Sequence, residues 1–148
     1  MAIKFYRPKE PFGEFSNFSR HTIKLDGYTW VTNEHYFQAQ KYINTTRFEM
    51  IANAPTPRIA ADLGRDRSMP LRPDWETVKD DIMRKCVLEK FKTHLRLKAM
   101  LIGTGDQETI EDSPVDYYWG CGKNGTGKNM LGKILMQTRE ILRNENLK

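Results

Sequence analysis

The stretch GKNGTGKN, Gly122 to Asn129, decides how this chain is read. It satisfies G-x-x-x-x-G-K from Gly122 to Lys128 and stops one residue short of a P-loop. Asn129 stands where a Ser or Thr hydroxyl would help hold Mg²⁺. A P-loop also follows a buried, β-branched strand inside a βαβ unit. Here the preceding residues are DSPVDYYWGC, aromatic and acidic, without a run of Val or Ile. No later apolar strand ends in an aspartate that would assist a metal. Nucleoside triphosphate hydrolysis on an alternating strand–helix fold is set aside.

Working outward, the residues after the loop read as a helix. Met130, Leu131, Ile134, Leu135, Thr138, Ile141 and Leu142 recur at i, i+3/i+4 and i+7/i+8, an amphipathic stripe. Upstream, Leu95 to Ile102 reads as a helix ended by Gly103 and Gly105, and Asp74 opens a longer one with Trp75, Val78, Ile82, Cys86 and Phe91 inward. In TPRIAADLG, Thr56 is the expected N-cap, Pro57 the first helical residue and Gly64 the C-terminal exit. Glu34 to Tyr42 is helical, capped by Thr32 or Asn33. Before that, IKFY reads as a strand, and HTIKLDGYTWV as two short strands joined at Asp26-Gly27, a hairpin signal. The expected fold is mainly α, α+β at most, with a small N-terminal antiparallel β-ribbon and one domain over residues 1–148.

Composition bounds the function. Apolar residues make up 39% and charged residues 29% of 148, as in a soluble globular protein. No run approaches the roughly 20 apolar residues of a membrane span, and MAIKFYRPKE holds no apolar signal-like region. Cys86 and Cys121 make neither a disulfide framework nor a Cys-x-x-Cys motif. The expected location is intracellular: cytoplasmic, or nuclear in a eukaryote. His35 has no metal-ligand spacing with His21 or His94, so no metal is expected, and nothing else in the sequence calls for a cofactor. The net charge of +5 leans towards an anionic partner.

Five of the ten glycines, Gly120, Gly122, Gly125, Gly127 and Gly132, crowd around the loop. Glycine lets backbone N–H groups approach a ligand, and the following helix start offers unpaired N–H groups to a phosphate or a ribose hydroxyl. The alternative is a solvated connection whose glycines only shape turns. A second stretch, WVTNEHYFQAQKY, places Glu34, Gln38 and Lys41 at i, i+4 and i+7 on one helix face. On periodicity alone that stripe reads as solvent-exposed.

Four pieces in order resemble the NADAR (YbiA-like) family: GEFSNF (Gly13 to Phe18), EHYFQAQK (Glu34 to Lys41), LGRDRSMPLRPDW (Leu63 to Trp75) and DYYWGCGKNGTGKNMLGKILM (Asp116 to Met136). The resemblance covers nearly the whole chain and implies a compact, mainly helical fold. It also implies cleavage of ribosyl N-glycosidic bonds. Some members remove ADP-ribose from the amino group of guanine in nucleic acid; others hydrolyse phosphorylated ribosylamino-pyrimidine intermediates of riboflavin synthesis. Both substrates are anionic.

Breaking a ribosyl C1′–N bond builds positive charge on the sugar, so the site needs a carboxylate near C1′, an activated water and help for the leaving nitrogen. Glu34 is the first candidate and Asp116 the second. Lys41 is a third, as a phosphate contact, an orienter of Glu34 or an amine that traps the opened sugar. Tyr118 and Trp119 are candidates for stacking on base or ribose, Asn17 for sugar hydroxyls, and Arg65 for phosphate. Gly120, Gly127, Lys128 and Asn129 are expected ligand contacts at the loop–helix junction, whereas Arg67 and Arg72 read as surface charges and Trp75 as a core anchor. The expected partner is ADP-ribose or a phosphorylated ribosyl N-glycoside, including ADP-ribosylated DNA or RNA. Removal of ADP-ribose from guanine is preferred because the chain shows no fused riboflavin-synthesis module and its charge suits nucleic acid. The alternatives are the riboflavin intermediates and a non-catalytic ADP-ribose reader.

Overall fold

Asp26 and Gly27 carry φ of 56° and 83°. Two successive positive φ values are what a tight two-residue hairpin needs to match strand twist. They join β2 (Ile23–Leu25) to β3 (Tyr28–Trp30), paired antiparallel with Ile23 opposite Trp30. This is the ribbon read from the sequence. The computed structural model of the chain describes residues 1–146, so the last two residues of the expected domain lie outside the described ones. Among the described residues there are six helices and four strands, a mainly α architecture.

Contacts divide the chain into two compact units, Arg20–Lys90 and the combination of Met1–Ser19 with Phe91–Lys148. In the first, the β2–β3 hairpin leads into α1 (Asn33–Ala39), a 3-10 turn (Gln40–Tyr42), α2 (Thr46–Ala52), α3 (Pro57–Arg65) and α4 (Trp75–Thr93) as far as Lys90. Thr32 caps α1 by accepting from the His35 N–H at 3.2 Å, and Thr56 caps α3 by accepting from Ile59 at 3.1 Å. α1 packs against both α2 and α3. All seven of its residues are buried, and Trp30, fully buried, stacks edge-on against Tyr36 and Phe48 at 5.3 and 5.6 Å. α2 has no counterpart in the sequence reading. Gly64 differs too: it lies inside α3 rather than at its exit, and α3 ends on Arg65 with Asp66 extended.

The second unit holds a ribbon that sequence did not reveal. β1 (Ala2–Phe5) pairs in parallel with β4 (Glu108–Glu111), Ala2 opposite Glu108. α5 (Leu95–Gly103) and α6 (Met130–Asn146) pack on each other, and α6 packs on β4. Phe15 is sandwiched between Phe5 at 5.9 Å and Phe91 at 5.7 Å, forming the aromatic part of this core. The α6 stripe is largely as expected, with Leu131, Ile134, Leu135, Thr138 and Leu142 buried. Ile141 is instead 45% exposed, and Arg139 is 6% exposed. The Arg139 guanidinium goes inside because it donates to Thr104 Oγ1 at 2.9 Å and the Gln107 carbonyl at 2.7 Å.

Candidate functional site

α1 brings three polar groups into one buried face. Glu34, Gln38 and Lys41 are 6%, 3% and 6% exposed, so the stripe is no solvated surface. One helical turn separates Glu34 from Gln38, and Gln38 Nε2 donates to Glu34 Oε2 at 2.7 Å. Lys41 falls on the 3-10 turn that continues α1. Its Nζ lies 5.8 Å from the ring centroids of both Phe37 and Trp75, which stack on each other at 5.1 Å. Trp75 is thus a core residue, as expected, and also part of the apolar wall around the amine.

That wall has an electrostatic result. Burial pushes the Lys41 amine down from its ordinary 10.5 to about 8, helped by repulsion from Arg67 and, more weakly, Arg65 and Lys79; the Glu34 carboxylate opposes the shift. The surroundings are a positive cluster with one carboxylate in it, a field suited to an anionic ligand.

The last turn of α3 closes this site. The Gly64 carbonyl accepts from Tyr42 Oη at 2.9 Å and Arg67 at 2.8 Å, and Lys41 Nζ approaches it at 3.5 Å. Arg47 donates to the Leu63 carbonyl at 2.8 Å and to Ser68 Oγ at 3.1 Å. Arg72 forks onto Asp74 at 2.6 and 3.0 Å, and its N–H donates to the Lys41 carbonyl at 3.0 Å. Of the two arginines read from sequence as surface charges, Arg67 is exposed and Arg72 half-buried, and both also strap the segment that carries Arg65. Arg65 itself is exposed. Arg47 and Tyr42 went unnoticed because neither sits in a charged run or at a periodic position that marks it.

His35 is fully buried, with Nδ1 2.8 Å from Thr32 Oγ1 and Nε2 2.9 Å from the Ala54 carbonyl. A carbonyl can only accept, so Nε2 carries the proton and Nδ1 accepts from the hydroxyl. Burial holds its pKa below the ordinary value, and the ring is a neutral brace between α1 and the segment after α2.

The remaining sequence candidates lie in the other unit. Asn17 is 7% exposed, just after the short 3-10 turn Gly13–Phe15. Asp116, Tyr118, Trp119, Gly120, Gly127, Lys128 and Asn129 are gathered in the glycine loop. Asp116 Oδ1 accepts from the N–H groups of Tyr118 at 2.9 Å and Trp119 at 2.8 Å, so its carboxylate turns the loop. Tyr118 and Trp119 are half-buried and meet edge-on at 4.8 Å, with Lys128 Nζ 5.5 Å from the Tyr118 ring.

The open amides expected at the start of α6 are already bonded. Residues 127–131 zip onto residues 117–121: Gly127 donates to Cys121, Lys128 to Tyr117, Asn129 to Gly120, Met130 to Tyr118 and Leu131 to Trp119, at 2.7 to 3.0 Å. The expectation of a phosphate cradle of free helix N–H groups is corrected by these bonds. Asn129, the residue that spoiled the P-loop, has φ of 53°, a left-handed conformation that Asn tolerates. Its side chain accepts from the Glu111 N–H at 3.0 Å and donates to the Thr109 carbonyl at 3.0 Å, clipping α6 to β4. Gly122, at φ 73°, admits the Tyr117 ring, which would stand 2.2 Å from any added Cβ. The loop leaves exposed Lys128, the tip from Lys123 to Thr126 and the Tyr117 ring, 47% exposed.

Among the described residues, no group of three or more His, Cys, Asp or Glu side chains is placed to hold a metal, and no helix is long and apolar enough to cross a membrane.

A small α-rich fold with a buried carboxylate and amide on one short helix, a low-pKa amine on the turn that continues it, and a glycine loop zipped onto an aromatic turn, defines a class with the same four motifs quoted above. The NADAR domain matches residues 4–143, and the chain belongs to that family. It is 48% identical over 140 residues to the N-glycosidase YbiA of Escherichia coli, covering 95% of this chain and 88% of that one. It is also 48% identical to an N-glycosidase of Nostoc punctiforme, covering 97% and 94% of the two chains. The riboflavin biosynthesis protein PYRR of Zea mays is 40% identical, covering 95% of this chain and 25% of its own length. The NMR structure of E. coli YbiA superposes with a TM-score of 0.93 at 47% identity, covering all of this chain and 88% of the other.

Proposed function

We propose that this chain removes ADP-ribose from the amino group of guanine in nucleic acid, with Glu34 acting on the ribosyl C1′–N bond. The broader activity is that of a hydrolase acting on N-glycosyl compounds, as in the relatives named N-glycosidase at 48% identity. One observation supports the finer reading most: Glu34 and Lys41 are buried together on one helix face, inside a positive cluster. Binding ADP-ribose alone does not require a carboxylate buried beside an amine.

In this reading the C1′–N bond breaks with its electron pair going to nitrogen. Water adds through oxygen to C1′, and one water proton ends on the guanine amino group. The Glu34 carboxylate stabilises the cationic sugar and takes the proton from water. Lys41 and Arg65 hold phosphate oxygens. Asp116 shapes the loop instead of sharing the chemistry.

A second reading, hydrolysis of phosphorylated ribosylamino-pyrimidines, is favoured by the riboflavin biosynthesis proteins of Zea mays and Vibrio vulnificus among the relatives. One experiment separates the readings. The purified chain is incubated, without metal or nucleotide, with an oligonucleotide carrying ADP-ribose on guanine, and mass spectrometry follows loss of that mass. Release by the wild type and none by Glu34→Gln, with ADP-ribose still bound, is the expected result. Binding without release by the wild type points to a reader; neither points to the riboflavin intermediates.

A further inference from the structure

Gln38 holds an unusual position for a buried amide. Its Nε2 donates to Glu34 Oε2 at 2.7 Å, while its Oε1 is buried with no hydrogen-bond partner. An unfilled buried acceptor destabilises the fold, and an apolar side chain of similar length would fill the same volume without that defect. The donor end must therefore matter more than the packing.

The acceptor end rests on Gly64. A Cβ built at Gly64 would stand 2.0 Å from Gln38 Oε1, 2.6 Å from its Cδ and 2.8 Å from its Cβ. No such atom fits unless one side moves. The Gly64 peptide is poorly able to move, because its carbonyl is fixed by Tyr42 and Arg67. Shape seats the amide against α3, and the hydrogen bond to Glu34 sets which end faces the carboxylate. The reverse orientation would set two acceptors face to face.

We propose that Gln38 and Gly64 are positioning residues for the Glu34 carboxylate: the absent side chain at Gly64 seats the Gln38 amide, and the amide aims the carboxylate. This rests on the reading of Glu34 as the group that acts on the glycosidic bond. The ionisable groups around Glu34 include Lys41, whose charge favours the carboxylate, and the Cys86 thiol on α4, which burial pushes up to about 12 and keeps neutral and on which the buried Lys90 also acts. Gln38 adds a neutral donor to the carboxylate. This positioning also explains why a glycine sits in the last turn of α3, where it faces Gln38.

The test uses Gln38→Met, which keeps length and volume and deletes the donor, together with Gly64→Ala and the double variant. Two readouts are taken: kcat and KM for release of ADP-ribose from modified guanine, and the pH titration of the Glu34 side-chain carboxyl carbon by ¹³C NMR. The expected outcome is a fall in kcat of about 10- to 100-fold for each single variant, with KM within about threefold and ADP-ribose binding kept. The carboxyl titration moves to higher pH in both, since a donor to the charged form is lost. The double variant is no slower than the slower single, as for two residues acting through one contact. Wild-type kcat and an unmoved titration in Gln38→Met would overturn the proposal; effects that multiply in the double variant would overturn the link to Gly64. Should Gly64→Ala not fold, Gln38→Met decides alone. Should the wild type release no ADP-ribose, the functional reading fails while the titration still decides the positioning.

Discussion

On α1 and the 3-10 turn that continues it, the Glu34 carboxylate, Gln38 amide and Lys41 amine are each less than a tenth exposed, and the Gln38 acceptor is left unfilled. In the glycine loop the polar groups find their partners within the unit: Asp116 on two loop amides, Asn129 on β4, and the amides from Gly127 to Leu131 on the carbonyls of residues 117–121. From sequence the two stretches carried the opposite promise. The loop looked like a phosphate cradle, and the helix face like a solvated stripe. Burial of charge is the informative difference. The loop's amides, Asp116 and Asn129 bond one another and β4 and build a scaffold, whereas the face of Glu34 and Lys41 buries a carboxylate and an amine that a ligand can engage.

The sharpest way to break this contrast is to neutralise one carboxylate in each region. Glu34→Gln is expected to lower kcat by about 10²–10⁴-fold, the range for loss of a positioned acid or base. Asp116→Asn keeps an acceptor oxygen for the two loop amides and is expected to stay within a few-fold of wild type. Single-turnover release of ADP-ribose, measured for both, checks the pair. A large loss in Asp116→Asn with a small one in Glu34→Gln would reverse the assignment.

The next effect concerns Lys41. Its folded value of about 8 lies below its ordinary 10.5, so burial disfavours the charged form. Between those two values the unfolded chain binds more protons, and stability rises with pH across that window. Below pH 8 both states are protonated and the burden is fully present. Lys41→Met is therefore expected to stabilise the fold at pH 7, by at most about 3 kcal/mol, and to flatten the rise between pH 8 and 10.5 while activity falls. Urea unfolding at pH 7 and at pH 9.5 measures both. A variant less stable than wild type at pH 7 would show that the amine is better compensated than its burial suggests.

Smaller still is the scaffold effect. Asp116→Ala removes the acceptor for two loop N–H groups, and with them about 1–2 kcal/mol. Tm should fall by about 2–4 °C for each kcal/mol, a loss that Asp116→Asn largely avoids.

How much of this was legible in the sequence varies with the range of the interaction. The Asp26-Gly27 hairpin, the Thr32 and Thr56 caps and the α6 stripe are local, and residue type alone announces them. The β1–β4 ribbon joins Ala2 to Glu108, and ETIE is too short and acidic to read as a strand without its partner. The i, i+4, i+7 spacing found the face of Glu34, Gln38 and Lys41, but burial depends on α2 and α3 packing over α1, which periodicity cannot see. Gly64 misled for the same reason: near a helix end glycine suggests an exit, while here it answers to Gln38 on a different helix. The buried Arg139 needed Thr104 and Gln107, more than 30 positions away, to be admitted to the core.

Arg65 and Lys128 give the mildest and most discriminating comparison, because both are exposed cations, one beside each region. If anion recognition belongs with the buried face, Arg65→Ala should raise KM several-fold, about 1 kcal/mol, with kcat little changed, as for loss of a rim charge. The increase should shrink at high salt. Arg65 also helps to depress the Lys41 amine, so its removal should move that amine's titration to higher pH. Lys128→Ala should leave the Lys41 titration in place and change KM by less. Two observables for one exposed side chain make the outcome hard to mimic by general destabilisation. A KM effect confined to Lys128, with no movement of Lys41 in either variant, would return the ligand's charge to the glycine loop and undo the contrast between the regions.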